Sequence, residues 1–312
     1  MLKKYDTAVD MFMADCRMND LAVTTQENYS RVYRMYRDFM EANGYEEASV
    51  EATVNWKLSL TTSIVSTSLY LQYIKYLSDF AVASGVYDKP FMSDKLMPSR
   101  KKVSAAKAKP YEHLLTAHQM KRIINAEQPT YGRKPHTWPR EHAEVVLLLM
   151  SGMRNVELRN LSLSDLDFEQ GIIHARITKG NKPRIVPFPA VAQNAVRAYL
   201  ASDIRPKTVS PDDYLFGTTD RVTGEWHGME RGQLSKQILS HTSCILGDES
   251  GVRSHALRHG FASSAISLGV SIDQIGEALG HSNTQTTRIY AERLNPAETL
   301  SDIGNILSRA YT

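Results

Sequence analysis

The sequence predicts a mainly α-helical protein of two domains, with one small antiparallel β-sheet confined to the second. Three observations carry this reading. The first ninety or so residues place apolar side chains at helical spacing and show no strand alternation. Residues 86–112 have the composition of a linker, bordered by Gly85 and punctuated by Pro90, Pro98 and Pro110. Residues 161–188 change to a two-residue alternation, broken by Gln170-Gly171 and by Lys179-Gly180-Asn181-Lys182. A chain of 312 residues is long enough for two cores. The boundaries expected are 1–90 for an all-helical domain, 91–112 for a basic linker, and 113–312 for a second domain that ends in a tail, 296–312.

Each element has its own signal. Residues 1–17 carry Tyr5, Val9, Phe12 and Met13 on one stripe. Thr24 or Thr25 can cap a helix through Tyr29, Val32, Tyr33, Tyr36, Phe39 and Met40, which Asn43-Gly44 stops. A short helix over 49–59 holds Val54 and Trp56, and a fourth runs from near Ser66 to Ser84-Gly85. Arg31, Arg34 and Lys75 on these helices face either solvent or an anionic partner. The linker is expected to stay extended and solvated. Arg100, Lys101, Lys102, Lys107 and Lys109 fall within ten residues that contain no acid. They form either a soluble strap or a basic hinge that lets two lobes close on an acidic polymer.

The second domain opens with a helix near Thr116–Glu127, a turn-rich stretch and a buried helix ending Val145-Val146-Leu147-Leu148-Leu149-Met150. Ser151-Gly152 turns the chain, and Arg154 and Glu157 follow at i and i+3, so the acid can hold the guanidinium. Arg159 reads as an ordinary surface residue. Strands are expected at 161–168, 172–177 and 184–188, with Lys179 a mobile charge at a hairpin tip. Helices at 189–203 and about 229–246 complete a scaffold, joined by a loop containing Tyr214-Leu215-Phe216.

Composition excludes several classes. The 42% hydrophobic and 23% charged content is ordinary for a globular chain. No apolar run approaches the roughly 18–20 residues that span a bilayer. The opening Met1-Leu2-Lys3-Lys4-Tyr5-Asp6 lacks an apolar signal core. Cys16 and Cys244 offer neither a disulfide nor a zinc framework. A cytoplasmic protein is expected. The net charge of +3 says little about partners beside the clustered linker bases.

The chemistry concentrates in residues 255–290. His255, Arg258 and His259 lie three and four apart, as one helix face requires. Gly269 is placed to end that helix, and a second helix through Ile272, Ile275 and Leu279 stops at Gly280, which presents His281. Tyr290 follows within reach if the chain folds back. A guanidinium binds phosphate through paired charge-assisted hydrogen bonds, and an imidazole shares a proton near neutrality. A phenol, with a pKa of about 10, attacks phosphorus only when its oxyanion is stabilised or its proton is removed. The set is what phosphoryl transfer to a tyrosine needs.

Ser151-Gly152-Met153-Arg154-Asn155-Val156-Glu157-Leu158, Lys179-Gly180-Asn181-Lys182-Pro183-Arg184-Ile185-Val186-Pro187, His255-x-x-Arg258-His259, Leu279-Gly280-His281 and Tyr290 occur in that order. Together they resemble the tyrosine recombinase (phage integrase) family, of the Xer-like two-domain kind. Ser151 and Met153 stand where Thr and Leu are more usual, and the stretch 128–141 looks longer than in the simplest members. The resemblance implies a two-domain C-shaped DNA clamp, in which 1–90 is the core-binding domain and 113–312 the catalytic domain. It implies Tyr290 as the nucleophile that forms a 3′-phosphotyrosyl bond, with Arg154 and Arg258 clamping the phosphate and His281 bonding to it. His255 would accept the tyrosine proton, Lys179 would protonate the leaving 5′-oxygen, and Glu157 would orient the cluster. His259 stays outside the catalytic set. No metal and no cofactor is implied. The partners implied are double-stranded recombination sites and, through an amphipathic tail carrying Leu300, Ile303, Ile306 and Leu307, a homotetramer on DNA. Integration, excision and resolution all fit, and binding to distant arm sites is not expected.

Three other readings use the same residues. A type IB topoisomerase cleaves and religates without exchanging partners. A silent DNA-binding regulator would not need the intact set. A metal hydrolase on His255, His259 and His281 lacks the glutamate of a His-Glu-x-x-His helix and a nearby carboxylate ligand.

Overall fold

The structure, a computed structural model, describes residues 2–107, 115–128, 136–176, 183–247 and 252–280. It is mainly α-helical with small antiparallel sheets, and the chain divides into two compact units, Met1–Pro110 and Tyr111–Thr312. Among the described residues no helix is long and apolar enough to cross a membrane.

The first unit is built on α1 (Lys3–Met18), α2 (Val23–Ala42), α3 (Val50–Ser59) and α4 (Ile64–Ala83). Their inward stripes are rich in aromatic residues. Tyr5 meets Tyr36 edge-on with ring centroids 5.7 Å apart, and Phe12 meets Phe80 at 5.3 Å. Such pairs add to the burial of large rings. Buried hydroxyls are satisfied within the core: Tyr5 donates to the Tyr33 carbonyl at 3.0 Å, and Thr53 Oγ1 lies 2.8 Å from the Tyr36 hydroxyl and 2.7 Å from the Phe91 carbonyl. Ser78 Oγ accepts from the Phe91 and Met92 amides, holding the chain after α4 against the core.

The expected extended linker is only partly so. Phe91 and Met92 are buried, Asp94–Leu96 form a 3₁₀ turn, and α5 (Arg100–Lys107) packs on α4 inside the first unit. Ser99 starts this helix: its carbonyl accepts from the Val103 amide and its hydroxyl from that of Lys102. Four of the five linker bases therefore lie on a helix, with Arg100, Lys101 and Lys102 exposed. Lys109 lies outside the described residues. Lys75, one of the three basic candidates on the helices, is held by Asp79 at 3.2 Å and Asp94 at 3.4 Å.

The second unit is organised around α7 (Trp138–Ser151), whose run from Ala143 to Leu149 is buried throughout. α6 (Ala117–Ile124), α9 (Ala190–Ala201), α10 (Arg231–Leu246) and α11 (Ser254–Ser267) pack around it. α7 also buries Arg140, Glu141 and Glu144; Arg140 donates to the Gly217 carbonyl at 2.9 Å and lies 3.5 Å from Glu144. β1 (Leu166–Asp167), β2 (Ile172–Ala175) and β3 (Arg184–Pro187) form an antiparallel sheet in that order, with Ile173 opposite both Leu166 and Val186. A second hairpin, β4 (Gly217–Thr219) with β5 (Trp226–Gly228), occupies the region expected to be a loop.

The expected strand over 161–168 is interrupted by a 3₁₀ turn, Leu163–Asp165, and only Leu166–Asp167 pair as a strand. Asp165 Oδ2 accepts from both the Ser162 amide and the Ser162 hydroxyl, at 2.9 and 2.8 Å, folding the chain before β1 begins. Local polar bonding of this kind competes with strand pairing. Arg159 is also no free surface residue, since its Nε donates to the Met229 carbonyl at 2.9 Å.

Candidate active site

Gly152 ends α7 with φ +65°, in the left-handed region. A Cβ there would lie 2.6 Å from Phe261 Cδ1 and 2.8 Å from Leu279 Cδ2, so the turn needs glycine for its backbone and for its space. The reversal sets Arg154 at the N-cap of α8 (Asn155–Arg159). Its backbone N–H donates to Glu157 Oε2 at 2.7 Å, and its Nη1 to Oε1 at 3.0 Å. Its Nη2 donates to the Gly280 carbonyl at 2.8 Å. Of the five N–H donors on a guanidinium, these two contacts leave three for an anion on the partly open side.

Arg184, from β3, reaches the same carboxylate. Its Nε donates to Glu157 Oε1 at 3.2 Å and its Nη2 to Oε2 at 2.6 Å. Glu157 thus accepts four hydrogen bonds, about the full capacity of a carboxylate. Burial pushes its carboxyl up, but the Arg184 bonds, the Arg154 amide and both positive charges outweigh that and hold it below the usual glutamate range.

Arg258 comes from α11 and is buried. Its Nη1 donates to the Gly152 carbonyl and its Nη2 to the Leu279 carbonyl, both at 2.6 Å. His255 is exposed in the first turn of α11, and His259 is buried a turn later, on the interior side. α12 (Ile272–Leu279) starts at a capping box between Ser271 and Gln274 and ends at Gly280, φ +63°. A helix end leaves its last carbonyls without partners. Here Arg258 takes the one on Leu279 and Arg154 the one on Gly280, so two guanidinium groups meet neighbouring carbonyls at the exit of α12.

Arg154, Glu157 and Arg258 are therefore brought together, and His255 opens the helix that carries Arg258. Lys179, His281 and Tyr290 lie outside the described residues, as does the tail 296–312. β2 and β3 are the strands on either side of Lys179, and Gly280 is the residue before His281. Among the described residues no group of three or more His, Cys, Asp or Glu side chains is placed to hold a metal ion.

Arg184 is the site residue that sequence reasoning passed over. It shares a strand face with Val186, which is buried. A charged residue on the inward face of a strand requires a partner, and that was the available signal.

The model of the phage integrase family matches residues 113–295. The chain is 30% identical over 268 residues to the tyrosine recombinase XerA of Thermococcus onnurineus, covering 85% of this chain and 84% of that protein. It is 30% identical over 229 residues to the tyrosine recombinase XerC of Shewanella sp. strain ANA-3, covering 72% and 68%. In fold it resembles the XerH site-specific recombinase solved with a palindromic difH substrate in a post-cleavage complex, with TM-score 0.68, 16% identity and coverage of 91% and 80%. The chain belongs to the phage integrase family of tyrosine site-specific recombinases.

Proposed function

We propose that this recombinase cleaves DNA through Tyr290. The phenol oxygen attacks a backbone phosphorus, the bond to the 5′-oxygen breaks, and a 3′-phosphotyrosyl link and a free 5′-hydroxyl result. His255 accepts the tyrosine proton and Lys179 donates one to the leaving oxygen, so the step is balanced without metal or nucleotide. Arg154 and Arg258 neutralise the non-bridging oxygens in the transition state, where one such donor typically contributes about 100- to 1000-fold in rate. His281 adds a further bond to the phosphate, and Glu157 orients Arg154. Attack by a 5′-hydroxyl from a second duplex reverses the chemistry and exchanges strands, in integration, excision or resolution.

The observation that carries this reading is the anchoring of Arg154 and Arg258 on the neighbouring carbonyls of Gly280 and Leu279. It fixes two permanent cations beside the residue that precedes His281. The relative bound to its difH substrate supports duplex DNA as the partner. Arg100, Lys101, Lys102, Lys107 and Lys109 add phosphate contacts to those of the second unit. Assembly as a tetramer uses the tail 296–312, in the cytoplasm.

The test is covalent trapping on nicked duplexes that carry the flanking DNA of the protein's own gene. A protein–DNA adduct that forms in chelator and is lost in Tyr290→Phe is expected. An adduct that survives Tyr290→Phe would exclude this nucleophile. A plasmid with two sites then separates partner exchange from simple relaxation.

A further inference from the structure

We propose that Arg184 is a positioning residue of the cleavage site: by sharing Glu157 with Arg154, it keeps the Arg154 guanidinium electrostatically available to the scissile phosphate. The inference rests on the assignment of Arg154 to phosphate binding. The Glu157 side chain is fully buried, and alone with Arg154 it would make a neutral pair. A neutral pair attracts an anion poorly, whatever the geometry of its donors. Arg184 brings a second positive charge to the same carboxylate, with a 2.6 Å contact, so the three groups together carry one net positive charge.

Geometry assigns the division of labour. The Arg184 side chain is 10% exposed and grips Glu157 with two donors, whereas that of Arg154 is 25% exposed and reaches it with one. Arg184 therefore faces the carboxylate and Arg154 faces the open side. Both also abut Gly280: a Cβ added there would lie 3.0 Å from Arg184 Cδ and 3.4 Å from Arg154 Nη1. Arg184 thus lines the backbone that leads to His281, and its strand follows the segment that holds Lys179. With Arg184 gone, Glu157 would have Arg154 as its sole counter-charge and would hold it against the protein.

Charge compensation and mere structural support predict different rescues. The variants are Arg184→Gln, Arg184→Lys and the double variant Arg184→Gln with Glu157→Gln. Adduct formation with nicked duplex is timed in each, alongside thermal stability and duplex affinity. Arg184→Gln should slow cleavage on the order of tenfold, less than loss of a direct phosphate donor, with duplex affinity, which rests on many phosphates, falling far less than the rate. Arg184→Lys should recover most of the rate because the charge returns. The double variant should also recover part of the rate, because the glutamine at 157 still accepts from Arg154 but no longer neutralises it. A double variant no faster than Arg184→Gln, or a wild-type rate in Arg184→Gln, would sink the proposal. If Arg184→Gln does not fold, Arg184→Lys and the double variant are timed against wild type, and a double variant slowed about tenfold or more would sink the proposal. Titration of inorganic phosphate, followed by the Arg154 side-chain nitrogen resonances, tests the same electrostatics without Tyr290. Phosphate should bind more weakly in Arg184→Gln and regain affinity in the double variant. Absence of any wild-type adduct would count against the cleavage reading, while the phosphate titration would still judge Arg184.

Discussion

Replacing Gly152 by alanine should damage stability and catalysis together, and the structure supplies its own control. Gly152 and Gly224 share the left-handed region, φ +65° and +73°, and lie in the same unit. An L-residue there costs about 1–2 kcal/mol in backbone strain. At Gly224 a Cβ meets nothing within 4 Å, so strain is the whole effect. At Gly152 it would press on Phe261 Cδ1 at 2.6 Å and Leu279 Cδ2 at 2.8 Å. Overpacking of that kind adds about 1–3 kcal/mol. For a unit of this size each kcal/mol shifts Tm by about 2–4 °C. Gly224→Ala should therefore lower Tm by about 2–8 °C, and Gly152→Ala by about 2–12 °C more. Phe261 and Leu279 also hold α11 and α12, and the Gly152 carbonyl accepts from Arg258, so only Gly152→Ala should slow adduct formation on nicked duplex. Circular dichroism melts and trapping assays on the two variants test both halves. Equal Tm losses, or an unimpaired cleavage rate in Gly152→Ala, would refute the claim that this turn is packed against the arginine anchors.

Other outcomes follow from single contacts. The Glu157 carboxyl binds its proton less tightly folded than unfolded, so its contribution is complete above the ordinary glutamate pKa of about 4.3 and is lost as pH falls through the lower folded value. As pH falls below about 4.3, urea unfolding of Glu157→Gln should show a shallower acid loss than wild type; identical slopes would contradict the pairing. Burial, and then the neighbouring His241, lower His142 to about 4. Its neutral form is favoured in the fold, so stability should fall as pH drops from the free histidine range of about 6.5 toward 4. His142→Phe should flatten the urea midpoint across that window; an unchanged pH dependence would show that another group titrates. Thr53→Val should destabilise the first unit by about 1–3 kcal/mol, because it strips a partner from the buried Tyr36 hydroxyl. Denaturant unfolding with a tyrosine-absorbance readout would measure it, and a midpoint equal to wild type would mean the Tyr36 hydroxyl is otherwise satisfied.

Much of the helical framework was readable because periodicity and stops agreed. α2 runs Val23–Ala42 and α12 ends at Leu279, where Asn43-Gly44 and Gly280 marked their limits. The Arg154–Glu157 pair was readable because both ends lie within one helical turn. Arg184 was not, since its partner is 27 residues earlier and only sheet formation joins them. The turn at Leu163–Asp165 imitated a strand because Asp165 bonds back to Ser162, a choice that hydrophobic alternation does not register. α5 was hidden by its flanking prolines: Ser99 and the surface of α4 supply what the charged sequence lacks alone. β4 and β5 are too short, at three residues each, to express a period.

The arginine anchors also bear on the order in which the second unit can be completed during synthesis. Arg154 relies on a carbonyl 126 residues downstream, and Arg258 on carbonyls 106 residues upstream and 21 downstream. A chain still emerging from the ribosome without α12 has neither guanidinium fully fixed, however well α7 and α8 have formed. The same holds for a fragment clipped before residue 279. The arginine cluster is thereby completed only once almost the whole second unit has been made and folded.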